Sequence, residues 1–533
     1  MSGRRSARPA DDNAGWVALL PAPRAADRVL CLELAPLRYA EGAAFWFDDV
    51  TALSAGAEAR FAGVGQVTET PSEWQPGALL PYPSASFSIV VCRLAGADTP
   101  RGTLANLLPE IARVLAADGC LYMDVDNPRS FRGDAGAGAM SRGGLRAALA
   151  KSGFCNPGFS AQIYEQGRLS EIVAPRGYRA VRNAWRTRER VKEFLLGPVA
   201  QRWFAPVHGV VAWRGAARVT LLESLPAMAG GNFATLAQLL VNPGKFFIAG
   251  AATAGATPLL TVVPTREDTI TRRRTEIAAI DTLRSATLPI ATLLPKVARE
   301  ASHAGRPVFE YEAIPGTTID LPTAHFDELM DRACEVLCDF NRKSLVRRAL
   351  TPADFETIAG RALDIAVDRY PGAAAAAVRL RAALARTFVG TVVPLVWQHG
   401  DFKLENLVFD RPTRAVRAII DWELAAREGL ASVDLLYLLA YREITLGAAD
   451  DILDVTAAAL LADRWPPASA ALLARYRAVF PDVKPFKDAC IGVFLAHHVA
   501  IRFAYDARDK SNQIATLMND IAARLESNVG AQP

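Results

Sequence analysis

Short apolar runs separated by helical patterns open the chain. Val29-Leu30-Cys31-Leu32 and residues 43–47, 87–92 and 120–125 each read as a buried strand. Between the last two, Leu104, Leu107, Leu108, Ile111, Val114 and Leu115 recur at helical spacing. Strands alternating with helices predict a parallel sheet with helices on its faces. Residues 130–150 turn to Gly, Ala, Arg and Ser, which predicts a mobile loop. Over 151–217 aromatic and Arg residues interleave, among them Tyr178, Trp185, Arg186, Phe194 and Trp203. That is the pattern of a solvated helix with its aromatic side packed on the sheet. Past Gly244 the texture changes again. Residues 245–250 and 258–263 predict two strands joined by a small-residue turn, followed by a helix over 268–283, a strand over 307–312 and mostly helical sequence after Asp320. No repeat recurs at a fixed period, and the alanine run 373–377 suits a helix.

With 533 residues the chain is long enough for about three domain-sized pieces. A net charge of +4 on a chain that is 22% charged and 51% hydrophobic argues against nucleic-acid binding by bulk electrostatics and against disorder. Seven cysteines, most inside apolar runs, read as reduced core thiols, and Cys334 with Cys338 as a structural pair rather than a zinc site. Residues 1–15 lack the apolar stretch of a secretory signal. The apolar stretches 219–240 and 246–263 are interrupted before the roughly 20 residues of a membrane span. A cytoplasmic protein is the expectation.

The chemistry concentrates in Gln398-His399-Gly400-Asp401-Phe402-Lys403-Leu404-Glu405-Asn406, followed by the strand ending Ile420-Asp421-Trp422-Glu423. Phosphoryl transfer needs a carboxylate to take the proton of an attacking hydroxyl and oxygen ligands for the Mg²⁺ on the nucleotide phosphates. A loop carrying Asp401 and Asn406 supplies the first carboxylate and an amide oxygen, and a short hairpin returns the chain to place Asp421 opposite. Gly400 permits a tight turn, and His399 braces the loop by hydrogen bonding.

These motifs resemble the aminoglycoside phosphotransferase and choline kinase family, over roughly residues 240–525. The resemblance implies a bilobal α+β protein-kinase-like fold, with Asp401 as catalytic base, His399 in support, Asn406 and Asp421 on Mg²⁺, and Asp434 buttressing the loop. It further implies that ATP is held by the helix glutamate Glu276 and by the strand end and hinge at Glu312 and Ala313. The family's strand lysine is missing, since Val262 stands there. Either Lys245, Arg266 or one of Arg272 to Arg274 substitutes, or nucleotide binding is weakened by about 1.5–3 kcal/mol. The arginine run itself reads as a solvated helix face.

The front half resembles class I SAM-dependent methyltransferases over about residues 25–180, on the strand 87–92 and the helix run Glu110-Ile111-Ala112-Arg113-Val114-Leu115. The turn Leu32-Glu33-Leu34-Ala35-Pro36-Leu37 has no glycine where the cofactor needs close backbone approach, and Glu33 would repel its carboxylate. Asp48 or Asp49 is the candidate ribose ligand. The sequence therefore predicts a flexible tail (1–24), a doubly wound α/β methyltransferase-like domain that has lost SAM (25–180), a connecting segment (181–243), and kinase-like N- and C-lobes (244–315 and 316–533). The expected function is ATP- and Mg²⁺-dependent phosphorylation of a hydroxyl on a small polar or glycan-like acceptor, with protein partnership or self-association through the N-terminal domain. The competing expectations are a pseudoenzyme scaffold or nucleotide-sensing partner protein, and a bifunctional methyltransferase-kinase.

Overall fold

A computed structural model describes residues 14–33, 39–55, 67–72, 78–93, 103–129, 139–165, 168–173, 207–224, 239–242, 244–249, 259–286, 288–319, 323–462, 464–502 and 510–529. The chain divides into two compact units, residues 1–271 with 297–313, and residues 272–296 with 314–533.

Among the described residues the first unit is built on one sheet of 13 strands. In chain order these are β1 (Arg28–Glu33), β2 (Asp49–Ala55), β3 (Val67–Ser72), β4 (Phe87–Arg93), β5 (Leu115–Asp126), β6 (Cys155–Glu165), β7 (Arg168–Val173), β8 (Val207–Trp213), β9 (Leu239–Asn242), β10 (Lys245–Ala249), β11 (Leu259–Pro264), β12 (Val297–His303) and β13 (Arg306–Glu312). Across the sheet the order is β12-β13-β11-β10-β9-β7-β6-β8-β5-β4-β1-β2-β3. The pairs β1·β2, β2·β3, β1·β4 and β4·β5 are parallel, and from β5 to β12 every pair is antiparallel. The parallel part reverses its order between β1 and β4, the switch point at which doubly wound sheets open a crevice beyond their carboxyl ends.

Helices α1 (Tyr39–Ala44), α2 (Thr103–Val114) and α3 (Arg142–Lys151) serve this part of the sheet. Alternate residues Leu121, Met123 and Val125 of β5 join Leu107, Leu108 and Ile111 of α2 and Leu145 and Leu149 of α3 in one core. The residues between them, Cys120, Tyr122 and Asp124, are also fully buried. Tyr122 stacks on Trp16, which meets Tyr39 edge-on at 4.7 Å between ring centroids. Cover on both faces explains why these strands read as continuous apolar runs rather than alternating ones.

Several expectations are corrected. Residues 43–47 form the end of α1 and the turn after it, not a strand: a five-residue apolar run does not distinguish the two, and Trp46 and Phe47 are buried beside the helix. The glycine-rich region expected to be a loop contains α3, started by Ser141, whose hydroxyl accepts the Gly144 N–H, and held by Leu145 and Leu149. Of the presumed aromatic helix, 155–165, 168–173 and 207–213 are strands, and Tyr178, Trp185, Arg186, Phe194 and Trp203 lie outside the described residues. Strand β8, from the supposed connector, lies between β5 and β6. Residues 14–24 are no loose tail throughout, because the short 3-10 turn Ala14–Leu19 is buried along its whole length. Asp49 opens β2, where its carboxylate pairs with Arg28, so it stands at the amino end of the strands, opposite the end where a ribose ligand belongs. Asp48 immediately precedes it. The glycine-free turn at 34–37 lies outside the described residues, and so does the Glu33 side chain.

Helix α4 (Glu267–Ser285) carries the chain from the first unit into the second. There follow α5 (Phe326–Ser344), α6 (Ala374–Phe388), α7 (Val433–Thr445), α8 (Lys487–Arg502) and α9 (Ser511–Val529). Strands β14 (Val346–Ala349), β15 (Val392–Gln398), β16 (Leu407–Phe409), β17 (Val416–Ile419) and β18 (Ala426–Leu430) complete the unit, with β14-β15-β18 as one antiparallel sheet and β16-β17 as a hairpin. Leu380 and Leu384 of α6, Leu436 and Tyr437 of α7, Phe494 of α8 and Ile521 of α9 share its helical core. All seven cysteines are free. Among the described residues no helix is long and apolar enough to cross a membrane.

His208 on β8 is 2% exposed and faces Arg142, Nε to Nδ1 at 3.5 Å. Burial, and then the Arg142 charge, pushes its pKa down to about 4. The imidazole is neutral in the fold and gains a proton on unfolding below its ordinary value of about 6.5, so stability is full above that value and is lost as pH falls toward 4. His208→Gln is expected to remove this loss, on the order of 3 kcal/mol between pH 7 and pH 4, as measured by denaturant unfolding at each pH.

Candidate active site

All groups of the site described below belong to the second unit. Strand β15 delivers the loop 399–406, which leads into β16, while β17 ends one residue before Ile420-Asp421. The loop is fixed from behind by Asp434 in the first turn of α7. Its carboxylate is 1% exposed and accepts the His399 N–H at 2.7 Å and the Gly400 N–H at 2.9 Å. Burial raises the Asp434 pKa, and the two N–H groups it accepts work against that rise. Gly400 has φ +85°, and a Cβ there would lie 2.5 Å from the Leu424 carbonyl oxygen, so no other residue fits the turn.

His399 is fully buried, with its Nε2 2.8 Å from the Ile420 carbonyl oxygen and its Nδ1 3.3 Å from the Asp401 N–H. Since Nδ1 accepts, Nε2 carries the proton and donates, which fixes a neutral tautomer. One ring thereby ties the loop to the strand end that carries Asp421. Trp422 packs edge-on against it at 4.7 Å and donates its indole N–H to Ile419 at 2.7 Å.

Asp401 Oδ2 accepts from Asn406 Nδ2 at 3.0 Å and from Lys403 Nζ at 2.9 Å. Its Oδ1 has no partner among the described residues. Asn406 Nδ2 also donates to the Asp401 carbonyl at 2.8 Å, which turns the amide oxygen away from Asp401. Lys403 lies 4.3 Å from the Tyr441 ring centroid. Burial opposes its charge, and the Asp401 carboxylate, with Tyr441 and Glu405, outweighs burial and holds the ammonium well above the ordinary lysine range.

Asp421 has φ 67° and ψ 55°, a left-handed conformation costing an ordinary side chain about 1–2 kcal/mol. The Trp422 N–H that follows donates to Glu276 Oε1 at 3.1 Å. Arg273 bridges this region: Nη1 lies 2.5 Å from Glu276 Oε2, and Nη2 2.9 Å from Asp421 Oδ1 and against Glu423. The arginine run is therefore not a uniformly solvated face. Arg274 is exposed and Arg272 half-buried, but Arg273 is 4% exposed, because three carboxylates draw it inward.

The second unit thus brings Asp401, His399, Asn406 and Asp434 into one hydrogen-bonded loop, and links Glu276 to Asp421 through Arg273. Glu312 and Ala313 end β13 and the first unit. Val262 is buried in β11 opposite Phe309 and Phe247. Sequence reasoning passed over Lys403 as a site residue, although a cation two positions after a proposed base was a usable signal. It named Arg273 only within a run. Among the described residues no three His, Cys, Asp or Glu side chains form a metal cage. Mg²⁺ does not require one, being held by one or two protein oxygens together with phosphates. The Asn406 amide oxygen and the Asp421 carboxylate are hard donors of that kind, so the residues present fit the ion.

The model of the phosphotransferase enzyme family matches residues 246–479. No curated protein matches the chain. Among solved structures, an aminoglycoside phosphotransferase from Streptomyces rimosus is 16% identical, with 49% of this chain and 91% of that one covered and a TM-score of 0.33. The same enzyme in complex with ADP and streptomycin is 15% identical, with 47% and 92% covered and a TM-score of 0.31. A SAM-dependent methyltransferase from Thermotoga maritima is 15% identical, with 38% and 88% covered and a TM-score of 0.25.

Removing the Asp434 carboxylate strands two buried N–H groups, each worth about 1–3 kcal/mol. Asp434→Ala is expected to lower unfolding free energy by roughly 3 kcal/mol in denaturant titration, net of partial relaxation around the smaller side chain.

Proposed function

We propose that the C-terminal part, matched over residues 246–479 by the phosphotransferase enzyme family, is an ATP- and Mg²⁺-dependent kinase for a hydroxyl on a small polar or glycan-like acceptor. One observation carries this reading: Asp401 has one carboxylate oxygen held by Asn406 and Lys403, and the other without a partner among the described residues. A carboxylate pinned through Oδ2 presents Oδ1 in a fixed direction, as a group that accepts a hydroxyl proton must.

The remaining residues follow from their contacts. Asn406 spends its N–H₂ on Asp401 and has its oxygen for the metal. Asp421 supplies the second oxygen ligand from a backbone conformation that the surrounding bonds enforce. When bound, Mg²⁺ neutralises charge on the transferred phosphoryl group. Lys403, kept charged beside the reacting carboxylate, adds a fixed positive charge where negative charge develops. His399 and Asp434 hold the loop and take no proton.

The methyltransferase-like part is proposed to have lost SAM binding. The support is the glycine-free turn at 34–37 and the position of Asp49 at the amino end of β2, paired with Arg28.

Asp401→Asn is expected to reduce phosphoryl transfer by at least a thousandfold while leaving the melting temperature and Mg·ADP binding unchanged, checked by a coupled ATPase assay over sugars, amino alcohols and glycan precursors and by calorimetry. Turnover equal to that of the unsubstituted chain refutes the assignment. Asp421→Asn is expected to abolish metal-dependent nucleotide binding in the same calorimeter, with the fold retained.

A further inference from the structure

Two carboxylates compete for one ammonium beside the proposed base. Lys403 Nζ lies 2.9 Å from Asp401 Oδ2 and 3.5 Å from Glu405 Oε2, and the Glu405 side chain is the more exposed of the two, 36% against 21%. A lysine side chain is long and flexible, so two anions at such similar distances leave its place undecided. The third neighbour is the ring of Tyr441, whose centroid is 4.3 Å from Nζ. An aromatic face attracts an ammonium, and the more so where water is excluded. The ring cannot follow the lysine. Tyr441 stands on α7 seven residues after Asp434, on the helix face that already binds the His399 and Gly400 N–H groups, and its side chain packs against the helical core. One face of α7 thus meets the loop at two points, its start through Asp434 and Lys403 through Tyr441. Lys403, Glu405 and Tyr441 line one small cavity, so the ammonium has room to shift.

We infer that Tyr441 is a positioning residue that keeps the Lys403 ammonium on Asp401 rather than on Glu405. The inference rests on the phosphotransferase reading and deepens it. Among the described residues Asp401 Oδ2 has two side-chain partners, Asn406 and Lys403. With both in place the carboxylate is held at one oxygen from two sides, and Oδ1 keeps a fixed direction. With Asn406 alone it can turn about a single bond, which a group that must meet a hydroxyl in one geometry does not tolerate. Without the ring, Lys403 divides its time between Asp401 and Glu405, and the base loses its second anchor and the positive charge beside it. The ring acts on the base through Lys403.

The test compares Tyr441→Phe, Tyr441→Leu, and Tyr441→Leu combined with Glu405→Gln, each in the full chain. The first keeps the ring, the second removes it but keeps apolar bulk, and the third also removes the competing charge. One readout needs no turnover: acetylation of Lys403 by acetic anhydride, followed by peptide mass spectrometry, with Lys510, ion-paired to Asp451 elsewhere in the same unit, as the reference. Lys403 is expected to react about tenfold faster in Tyr441→Leu, and close to the unsubstituted rate in Tyr441→Phe and in the double variant, with Lys510 unchanged. The other readout is phosphoryl transfer to the acceptor that the panel of sugars, amino alcohols and glycan precursors identifies. There kcat is expected to fall about tenfold in Tyr441→Leu, with the KM for Mg·ATP within about threefold of the unsubstituted value. Tyr441→Phe is expected to restore kcat, and the double variant to recover most of what the single one loses. Loosened packing would not be rescued by a change at Glu405. Unchanged labelling in Tyr441→Leu, a parallel rise at Lys510, or a double variant no better than the single one overturns the assignment. Absence of transfer by the unsubstituted chain overturns the phosphotransferase reading, and the order of labelling still decides whether Tyr441 holds Lys403.

Discussion

The buried carboxylate of Asp434 is the fixed point from which the candidate site is built. A charge at 1% exposure is tolerated only where donors replace the water it has lost, and here the replacements are the N–H groups of His399 and Gly400. Those two residues are thereby fixed, and with them the direction in which the chain leaves β15. The His399 ring passes the constraint to the Ile420 carbonyl, Trp422 passes it to Glu276, and Glu276 holds Arg273. Every link is a hydrogen bond, and together they hold a left-handed Asp421 and a glycine at φ +85° in place.

The same region illustrates how a near-neutral chain builds a strong local field. Net charge contributes almost nothing at +4, so the field comes from placement. Lys403 sits against Asp401, and Arg273 sits among three carboxylates. Each cation lies against at least two carboxylates, Lys403 against Asp401 and Glu405 and Arg273 against Glu276, Asp421 and Glu423, so the local field is set by which side chains the fold brings together.

What the sequence made legible follows the range of the interactions involved. Strands β1, β4 and β5 and helix α2 declare themselves through apolar runs and helical spacing, because both sheet faces are covered and the pattern is local. His399, Asp401, Asn406, Asp421 and Asp434 were findable because their spacing is itself the motif. Residues 43–47 were misread because a short apolar run fits either a strand or a helix end, and α3 was hidden by glycines that its serine cap and two leucines overcome. Arg273 was illegible for a different reason. Three consecutive arginines look alike in sequence, and only the positions of Asp421 and Glu423, about 150 residues away, decide which one turns inward.

The continuity of the 13-stranded sheet was the least legible feature, and it bears on why the front half is present at all. Strands β9 to β13, which precede and flank α4, do not form a sheet of their own: β9 pairs with β7 through Ile172 opposite Leu239 and Glu171 opposite Leu240. Without β7, the backbone of β9 would be an open edge, with donors and acceptors exposed to any passing strand. Strand β7 closes that edge by backbone hydrogen bonds that need no particular side chain. Strands β6, β7 and β8 are thereby held in one continuous register with β9 to β13.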